Sequence, residues 1–274
     1  MFLVNGQVSE HLSLLDRSIH YGDGVFETIA VSNGSPLCWD KHLIRMAKGC
    51  HTLGIPAPSH SVLEKEVEQL THNQNRAVLK IIISRGEGGR GYQSPDEISP
   101  TRIIGLYDWP DYPAENSMEG IKAGVCETRL GHNPALAGIK HLNRLEQVLA
   151  RSEIDMDLFE ENIMLDISDL IVEGTMSNVF LVSNDILLTP DLRACGIEGI
   201  IRAVILEQAP DWGLRTEIKK LTLDDVKKAS EIFFCNSIMG IWPVKHFLGK
   251  AYSVDGVAQM IRAHLIGNQH IVAP

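Results

Sequence analysis

Lys140 stands between Ala137-Gly138-Ile139 and His141, in the stretch AGIKHLNRLEQVLA. A lysine on a solvated helix face needs no special explanation, and most lysines are of that kind. At the start of a helix, however, a cation opposes the positive end of the helix dipole. Flanked by small and apolar residues, its amine can be partly desolvated. A desolvated amine loses its proton more readily and attacks an aldehyde to form a Schiff base. Downstream, Glu173 lies in LIVEGTMSNVF. It is either a solvated glutamate beside a turn glycine or the acid that pairs with a protonated ring nitrogen, with Ser177 and Asn178 supporting it on the same turn. Gly196 and Gly199 in CGIEGIIR precede a helical pattern, where free N–H groups of a first turn hold a phosphate. A lone Gly-x-x-Gly is by itself only a turn signal. Asn236-Ser237 ends the run EIFFCNS and offers further donors, and Arg45 in HLIR offers a cation for the same anion. No one of these signals is strong. Their succession along the chain (Arg45, Lys140, Glu173, Gly199, Asn236-Ser237) is the informative feature.

The elements that must carry these residues read as mixed strand and helix. VFETIAVSNGSPLCW alternates in polarity about Asn33-Gly34, a hairpin signal because Asn-Gly accepts the positive φ of a type I′ turn. DKHLIRMAKGCHTLG follows as a helix that Asp40 can cap and Gly54 can end, with Leu43, Met46, Cys50 and Leu53 on one face. Ser61 and Glu64 make a capping box for a second helix reaching about His72. AVLKIIIS and TRIIGLY are β-rich runs on either side of the glycine-rich RGEGGRGY. DWPDYPAENS (108–117) is polar, contains prolines and has no period, as a linker would. It divides the chain into an N-terminal domain over 1–108, a linker over 109–117 and a C-terminal domain over 118–274 that carries Lys140. In the second domain IKAGVCET, NIMLDI, NVFLVS, ILLTP, EIFFCNS and IWPVKHF are expected strands. Helices are expected from His141 to about Met156, over GIIRAVILEQA, over LDDVKKA with Thr222 and Asp225 as a capping box, and over VDGVAQMIRAHLI. Strands and helices do not alternate regularly, which argues against a doubly wound parallel sheet and for two α+β domains.

Twenty-five basic against 35 acidic residues leave a net charge of −10, which argues against nonspecific nucleic-acid binding and against an anionic membrane surface. An anionic ligand must then be held by local donors against the field of the whole chain. Five cysteines, an odd number and none in a Cys-x-x-Cys pair, fit a reducing cytoplasm better than a disulfide framework. The first residues do not read as a signal peptide, and no run approaches the roughly 18 apolar residues of a membrane helix. No metal is expected.

Five stretches, YGDGVFET (21–28), HLIR (42–45), GIKHLNRLEQ (138–147), EGTMSNVF (173–180) and GIEGIIR (196–202), resemble the fold-type IV pyridoxal-phosphate enzymes. That group includes branched-chain and D-amino-acid aminotransferases and aminodeoxychorismate lyases. SRGEGGRGY (84–92) and NPALAGIKHLNRLEQVL (133–149) are similar to the lyases in particular. The resemblance implies a two-domain α+β protomer of the D-amino-acid-aminotransferase type, with pyridoxal 5′-phosphate between the domains, assembled as a homodimer. It implies that Lys140 forms the Schiff base, that Glu173 holds the pyridine nitrogen, and that Arg45, the N–H groups of Ile200 and Ile201, and Ser237 bind phosphate. Ser177, Asn178, Gly199 and Asn236 support them.

The implied reaction splits 4-amino-4-deoxychorismate, a dicarboxylate, into 4-aminobenzoate and pyruvate, with Lys140 moving the proton. Arg90 and Arg85 are the expected carboxylate anchors, and Tyr92, Glu27 and His20 the expected neighbours of the substrate. The alternative is a D-amino-acid or branched-chain aminotransferase. Ile19 keeps it open, because some lyases carry a threonine there, and so does Glu27, because aminotransferases of this fold also favour glutamate near it.

Overall fold

The computed structural model describes residues 1–273. The chain forms two compact units, Met1–Pro110 with Ile139–Asn143, and Asp111–Gly138 with Arg144–Pro274.

The first unit contains β1 (Phe2–Val4), β2 (Gln7–Val8), α1 (Arg17–Tyr21), β3 (Gly24–Ser32), β4 (Ser35–Pro36), α2 (Trp39–Leu53), α3 (His60–Thr71), β5 (Arg76–Ser84) and β6 (Thr101–Tyr107). Its sheet is antiparallel throughout, in the order β2-β1-β6-β5-β3-β4. The β3–β4 hairpin turns at Asn33 (φ 50°) and Gly34 (φ 80°), the positive φ values that the Asn-Gly pair foretells. β3 and β5 pair along their whole length, from Gly24 opposite Ser84 to Ser32 opposite Arg76. Ile29, Leu79, Ile81 and Ile83 point from this pair into a core completed by Leu43, Met46 and Cys50 of α2 and Leu63 and Val67 of α3.

Two helix starts differ from expectation. α2 begins one residue before Asp40, after Cys38 in a left-handed conformation (φ 51°), with no side-chain cap. α3 begins at His60 after Ser59, so Ser61 lies inside the helix rather than at its cap. Gly54 does end α2, at φ 64°.

The second unit contains α4 (Glu115–Met118), β7 (Ile121–Leu130), α5 (Leu145–Ser152), β8 (Glu161–Asp166), β9 (Ile171–Gly174), β10 (Asn178–Ser183), β11 (Ile186–Pro190), α6 (Ile200–Gln208), β12 (Arg215–Lys219), α7 (Leu223–Lys228), β13 (Glu231–Asn236), β14 (Gly240–Phe247), β15 (Lys250–Ala251) and α8 (Val257–Gly267). The mixed sheet runs β12-β11-β10-β13-β14-β7-β8-β9, with β15 against β14. Bulges in the β14–β7, β7–β8 and β8–β9 ladders bend it. The Thr222–Asp225 pairing foreseen for α7 is present, the Asp225 carboxylate accepting the Thr222 N–H at 2.8 Å.

Lys140 does not sit at the mouth of a helix. α5 starts only at Leu145, and residues 139–143 form an irregular segment with one bridge, His141 to Val25, that packs with the first unit, although the sequence reading assigned them to the second. The reason is backbone pairing: Lys140 O accepts the Phe26 N–H (2.9 Å) and Leu142 N–H donates to Gly24 O (3.0 Å).

At the centre of the second unit Phe180 of β10 and Phe233 of β13 are cross-strand partners, both fully buried, with rings 5.1 Å apart and nearly parallel. Phe233→Ala should lower the stability of this unit by about 3–5 kcal/mol, because the cavity cannot close within a sheet. Urea unfolding followed by the fluorescence of Trp242 on neighbouring β14 measures it.

Candidate active site

In the first unit the site is built on the edge of β3. Gly24 must be glycine: a Cβ there would stand 2.5 Å from the carbonyl oxygen of Ile83 and 2.9 Å from Leu142. This close approach lets residues 139–143 lie against β3 and fixes the backbone of Lys140. The half-buried Lys140 side chain carries its Nζ to 4.3 Å from the centre of the Phe26 ring.

The next inward-facing residue of β3 is Glu27, 1% exposed. Its carboxylate accepts from Arg45 Nε (2.8 Å) and Nη2 (2.5 Å) and from His42 Nδ1 (2.7 Å), both residues lying on α2. Burial alone would raise the Glu27 pKa, but the charge and hydrogen bonds of Arg45, with help from His42, outweigh it and hold it at about 2. Burial pushes the His42 pKa below its ordinary value, against the pull of Glu27. Because Glu27 is a carboxylate and can only accept, the hydrogen bond between them puts a proton on His42 Nδ1. Glu27, foreseen beside the substrate, is thus a buried anchor that aims Arg45.

Arg85 likewise differs from expectation. Only 8% exposed, it is bound to Asp23 through Nε (2.8 Å) and Nη2 (3.1 Å) and to the carbonyl oxygens of Gly54 (3.1 Å) and Leu53 (2.6 Å). Its guanidinium is spent on holding the fold. Arg17, which the sequence reading passed over, shares Asp23 (2.8 Å) and donates to the carbonyl oxygens of Gly91, Tyr92 and Gln93, tying down the glycine-rich loop. Burial raises the Asp23 pKa, but Arg85 and Arg17 together hold it below the usual carboxylate range. Arg90 is exposed on this loop, Tyr92 is 90% exposed, and Ile19 is 51% exposed. His20 bonds the Leu14 carbonyl oxygen at the surface (2.7 Å).

In the second unit Glu173 on β9 is 3% exposed, and its carboxylate accepts the Ile197 N–H (2.8 Å) and Gln147 Nε2 (3.2 Å). The turn after it is held by Glu161, a fully buried carboxylate that the sequence reading also missed. Glu161 accepts from the N–H (3.0 Å) and hydroxyl (2.5 Å) of Thr175, the Ser177 hydroxyl (2.9 Å) and the Asn162 N–H (2.9 Å). The Ser177 hydroxyl is thereby committed to shaping the turn. An acidic residue at the head of a wholly buried strand was the available signal.

Asn178 clips the loop before α6, donating to Ile197 O (2.9 Å) and accepting the Gly199 N–H (3.0 Å). A Cβ on Gly199 would fall 2.0 Å from Asn178 Oδ1, so a side chain here would push Asn178 off its hydrogen bonds to this loop. The helix that follows begins with Ile200 and Ile201 and has no side-chain cap. Its first-turn N–H groups have no intrahelical acceptor. Asn236, at the end of β13, closes its own turn by accepting the N–H groups of Ile238 and Met239 (2.8 Å each) and donates to Met176 O (3.1 Å). Half-buried Ser237 follows it. The loop leading to Lys140 is stitched to the loop leading to α6 by Gly138 N–H to Gly196 O (2.9 Å) and Glu198 N–H to Gly138 O (3.1 Å).

His132, Asp166 and Cys195 offer donor atoms within 4.8 Å of one another in the same unit. Asp166 is already committed to His132 and to the N–H groups of Ser168 and Leu170. Burial, with nearby carboxylates, pushes the Cys195 thiol up to about 12. The corner is closed by its own hydrogen bonds.

A family model described as amino-transferase class IV matches residues 24–247. The chain belongs to that family. An aminodeoxychorismate lyase of Vibrio harveyi is 37% identical over 268 residues, 98% of this chain and 99% of the relative. A crystal structure of 4-amino-4-deoxychorismate lyase from Pseudomonas aeruginosa superposes with a TM-score of 0.95 at 39% identity, covering 99% of this chain and 100% of the other. A D-alanine aminotransferase of Bacillus licheniformis is 27% identical over 263 residues, 93% of this chain and 88% of the relative.

Pyridoxal 5′-phosphate is the cofactor of this class IV family, and the donor set here fits it. A lysine amine lies against an aromatic ring, a buried carboxylate is matched by N–H donors, and an uncapped helix start follows a glycine packed on Asn178.

Glu27→Gln tests the buried anchor. Because the folded pKa of about 2 lies below the ordinary 4.5, the charged carboxylate contributes stability that is complete above pH 4.5 and is lost as pH falls towards 2. The variant should be less stable than the parent by about 3 kcal/mol at pH 7, and the difference should shrink below pH 4.5. Paired urea titrations between pH 7 and pH 3 read this directly.

Proposed function

We propose that the chain is a pyridoxal-phosphate-dependent lyase that converts 4-amino-4-deoxychorismate into 4-aminobenzoate and pyruvate. The observation that carries this reading is that both lyase likenesses extend over essentially the whole chain, the segment around Lys140 included.

In this reading Lys140 holds the cofactor's aldehyde carbon, Glu173 the pyridine nitrogen, and Arg45, the Ile200 and Ile201 N–H groups and Ser237 the phosphate. When bound, pyridoxal phosphate supplies an electron sink for the carbon that loses its proton. The chain's own residues do the rest. Glu27 and His42 keep Arg45 aimed. Asn178 and Gly199 keep the start of α6 open for an anion. Lys140 would act as the base, taking a proton from the substrate carbon that bears the amine. The C–O bond on the adjacent carbon then breaks, and Lys140, now carrying the proton, protonates the departing enolpyruvyl oxygen. Enolpyruvate becomes pyruvate, and the ring left behind is aromatic, which drives the step. Exposed Arg90, rather than Arg85, is the remaining loop candidate for a substrate carboxylate.

An aminotransferase reading draws on Ile19, which has no proton to give, and on the D-alanine aminotransferase likeness. Lasting loss of the aldehyde absorbance with D-alanine or leucine would favour it. We also read the chain as half of a homodimer. The row Leu145, Val148 and Leu149 on α5, 57% exposed or more, supports an apolar partner surface.

Purified protein supplied with 4-amino-4-deoxychorismate should release 4-aminobenzoate and pyruvate in equal amounts. Lys140→Ala should lose the visible absorbance of the bound aldehyde and reduce turnover by roughly 10²–10⁴-fold or more. Release of neither product by the parent protein, or parental turnover in the variant, would contradict this assignment.

A further inference from the structure

Gln147 lies on α5, within the motif GIKHLNRLEQ, and the mechanism above gives it no part. Its side chain is nevertheless placed at a cost. Nε2 donates to Glu173 Oε1 at 3.2 Å, while its own Oε1 is buried without a hydrogen-bond partner. Leaving a buried acceptor unmatched is unfavourable, because its desolvation is not repaid. Turning the amide over does not relieve this, since it would set the carbonyl oxygen against the carboxylate. The arrangement therefore gives up one hydrogen bond to keep a donor on Glu173.

That donor acts together with others on the same carboxylate. Ile197 N–H reaches the second oxygen, Oε2, at 2.8 Å, so each oxygen has its own donor. Arg144, also at the start of α5, places a positive charge within electrostatic reach of Glu173. All three favour the ionised carboxylate over the acid.

We infer that Gln147 is a positioning residue that fixes where a proton sits: with Ile197 N–H and Arg144 it keeps Glu173 ionised, so that the proton shared with a pyridine nitrogen stays on the nitrogen. This inference rests on the assignment of Glu173 to that nitrogen. A hydrogen bond between a carboxylate and a pyridine can hold its proton on either side. Donors on the carboxylate stabilise the ion pair, and removing one shifts the balance towards neutral acid and neutral ring. The neutral ring is the poorer electron sink, so turnover falls without any loss of cofactor contacts.

The test is ¹⁵N NMR of the holoenzyme reconstituted with pyridoxal phosphate labelled at the ring nitrogen, which needs no substrate. The parent protein should resonate at the pyridinium position and Glu173→Gln at the neutral-pyridine position. Gln147→Leu should move part or all of the way towards neutral pyridine. Its 4-aminobenzoate turnover should fall roughly tenfold, the effect of losing one hydrogen bond to a charged group. Reconstitution with the 1-deaza cofactor, which has no ring nitrogen, should leave Gln147→Leu and parent equal in rate. Gln147→Met, closer in shape, gives the same readouts should the leucine variant fail to fold. A parent resonance at the neutral position would remove the Glu173 assignment itself. A pyridinium parent with an unmoved Gln147→Leu signal, or an equal loss of rate with both cofactors, would overturn the role of Gln147 alone.

Discussion

A carboxylate withdrawn from water must be matched by donors or give up its charge. Glu27, Glu161 and Glu173 are all 3% exposed or less, and each is matched in a different way. Glu27 has Arg45 and His42, two side chains one helical turn apart on α2. Glu161 has the N–H and hydroxyl groups of the turn after β9. Glu173 has a backbone N–H and the Gln147 amide. Removing any donor leaves a buried charge short of partners, at a cost of order 1–3 kcal/mol or more. This constraint holds the functional loops in place where no regular secondary structure does so.

The same logic answers the puzzle of an acidic protein with an anionic cofactor. A net charge of −10 cannot attract phosphate or a dicarboxylate over long distance. In the proposed assignment the attraction is short-ranged, and it is sought in two local features: the uncapped helix start at Ile200 and, separately, the Arg45 guanidinium, whose direction is set by a buried glutamate. Arg85, which looks available in the sequence, and Arg17 are both consumed by Asp23 and by backbone carbonyls. The glycine-rich loop thus depends on arginines for its shape before any of them meets a ligand.

The strands, the Asn33-Gly34 hairpin, the Gly54 stop and the Thr222–Asp225 cap were legible in the sequence because each depends on neighbours a few residues away. Apart from the helix starts at Trp39 and His60, which differ locally, the misplaced features depend on partners far along the chain. The helix expected from His141 begins at Leu145 because residues 140–142 hydrogen-bond to Gly24 and Phe26, more than a hundred positions earlier. Arg85 could not be told from a ligand-binding arginine without knowing where Asp23 and the end of α2 lie. Gln147 has no local pattern to announce it, and Glu161 has only its place at the head of a buried strand; the role of each lies in the loop it touches. Lys140 and Glu173 stood out because their residue types are chemically loaded and because flanking glycines mark close approach.

The central claim is that the amine of Lys140 is the one bonded to the aldehyde of the cofactor. Borohydride reduction of the holoprotein, followed by digestion and peptide mass mapping, tests it most directly, since reduction makes that bond permanent. The account predicts a phosphopyridoxyl mass on the peptide containing Lys140 and an unmodified Lys122. A label on any other lysine, or none on the Lys140 peptide under conditions that bleach the aldehyde absorbance, would contradict it.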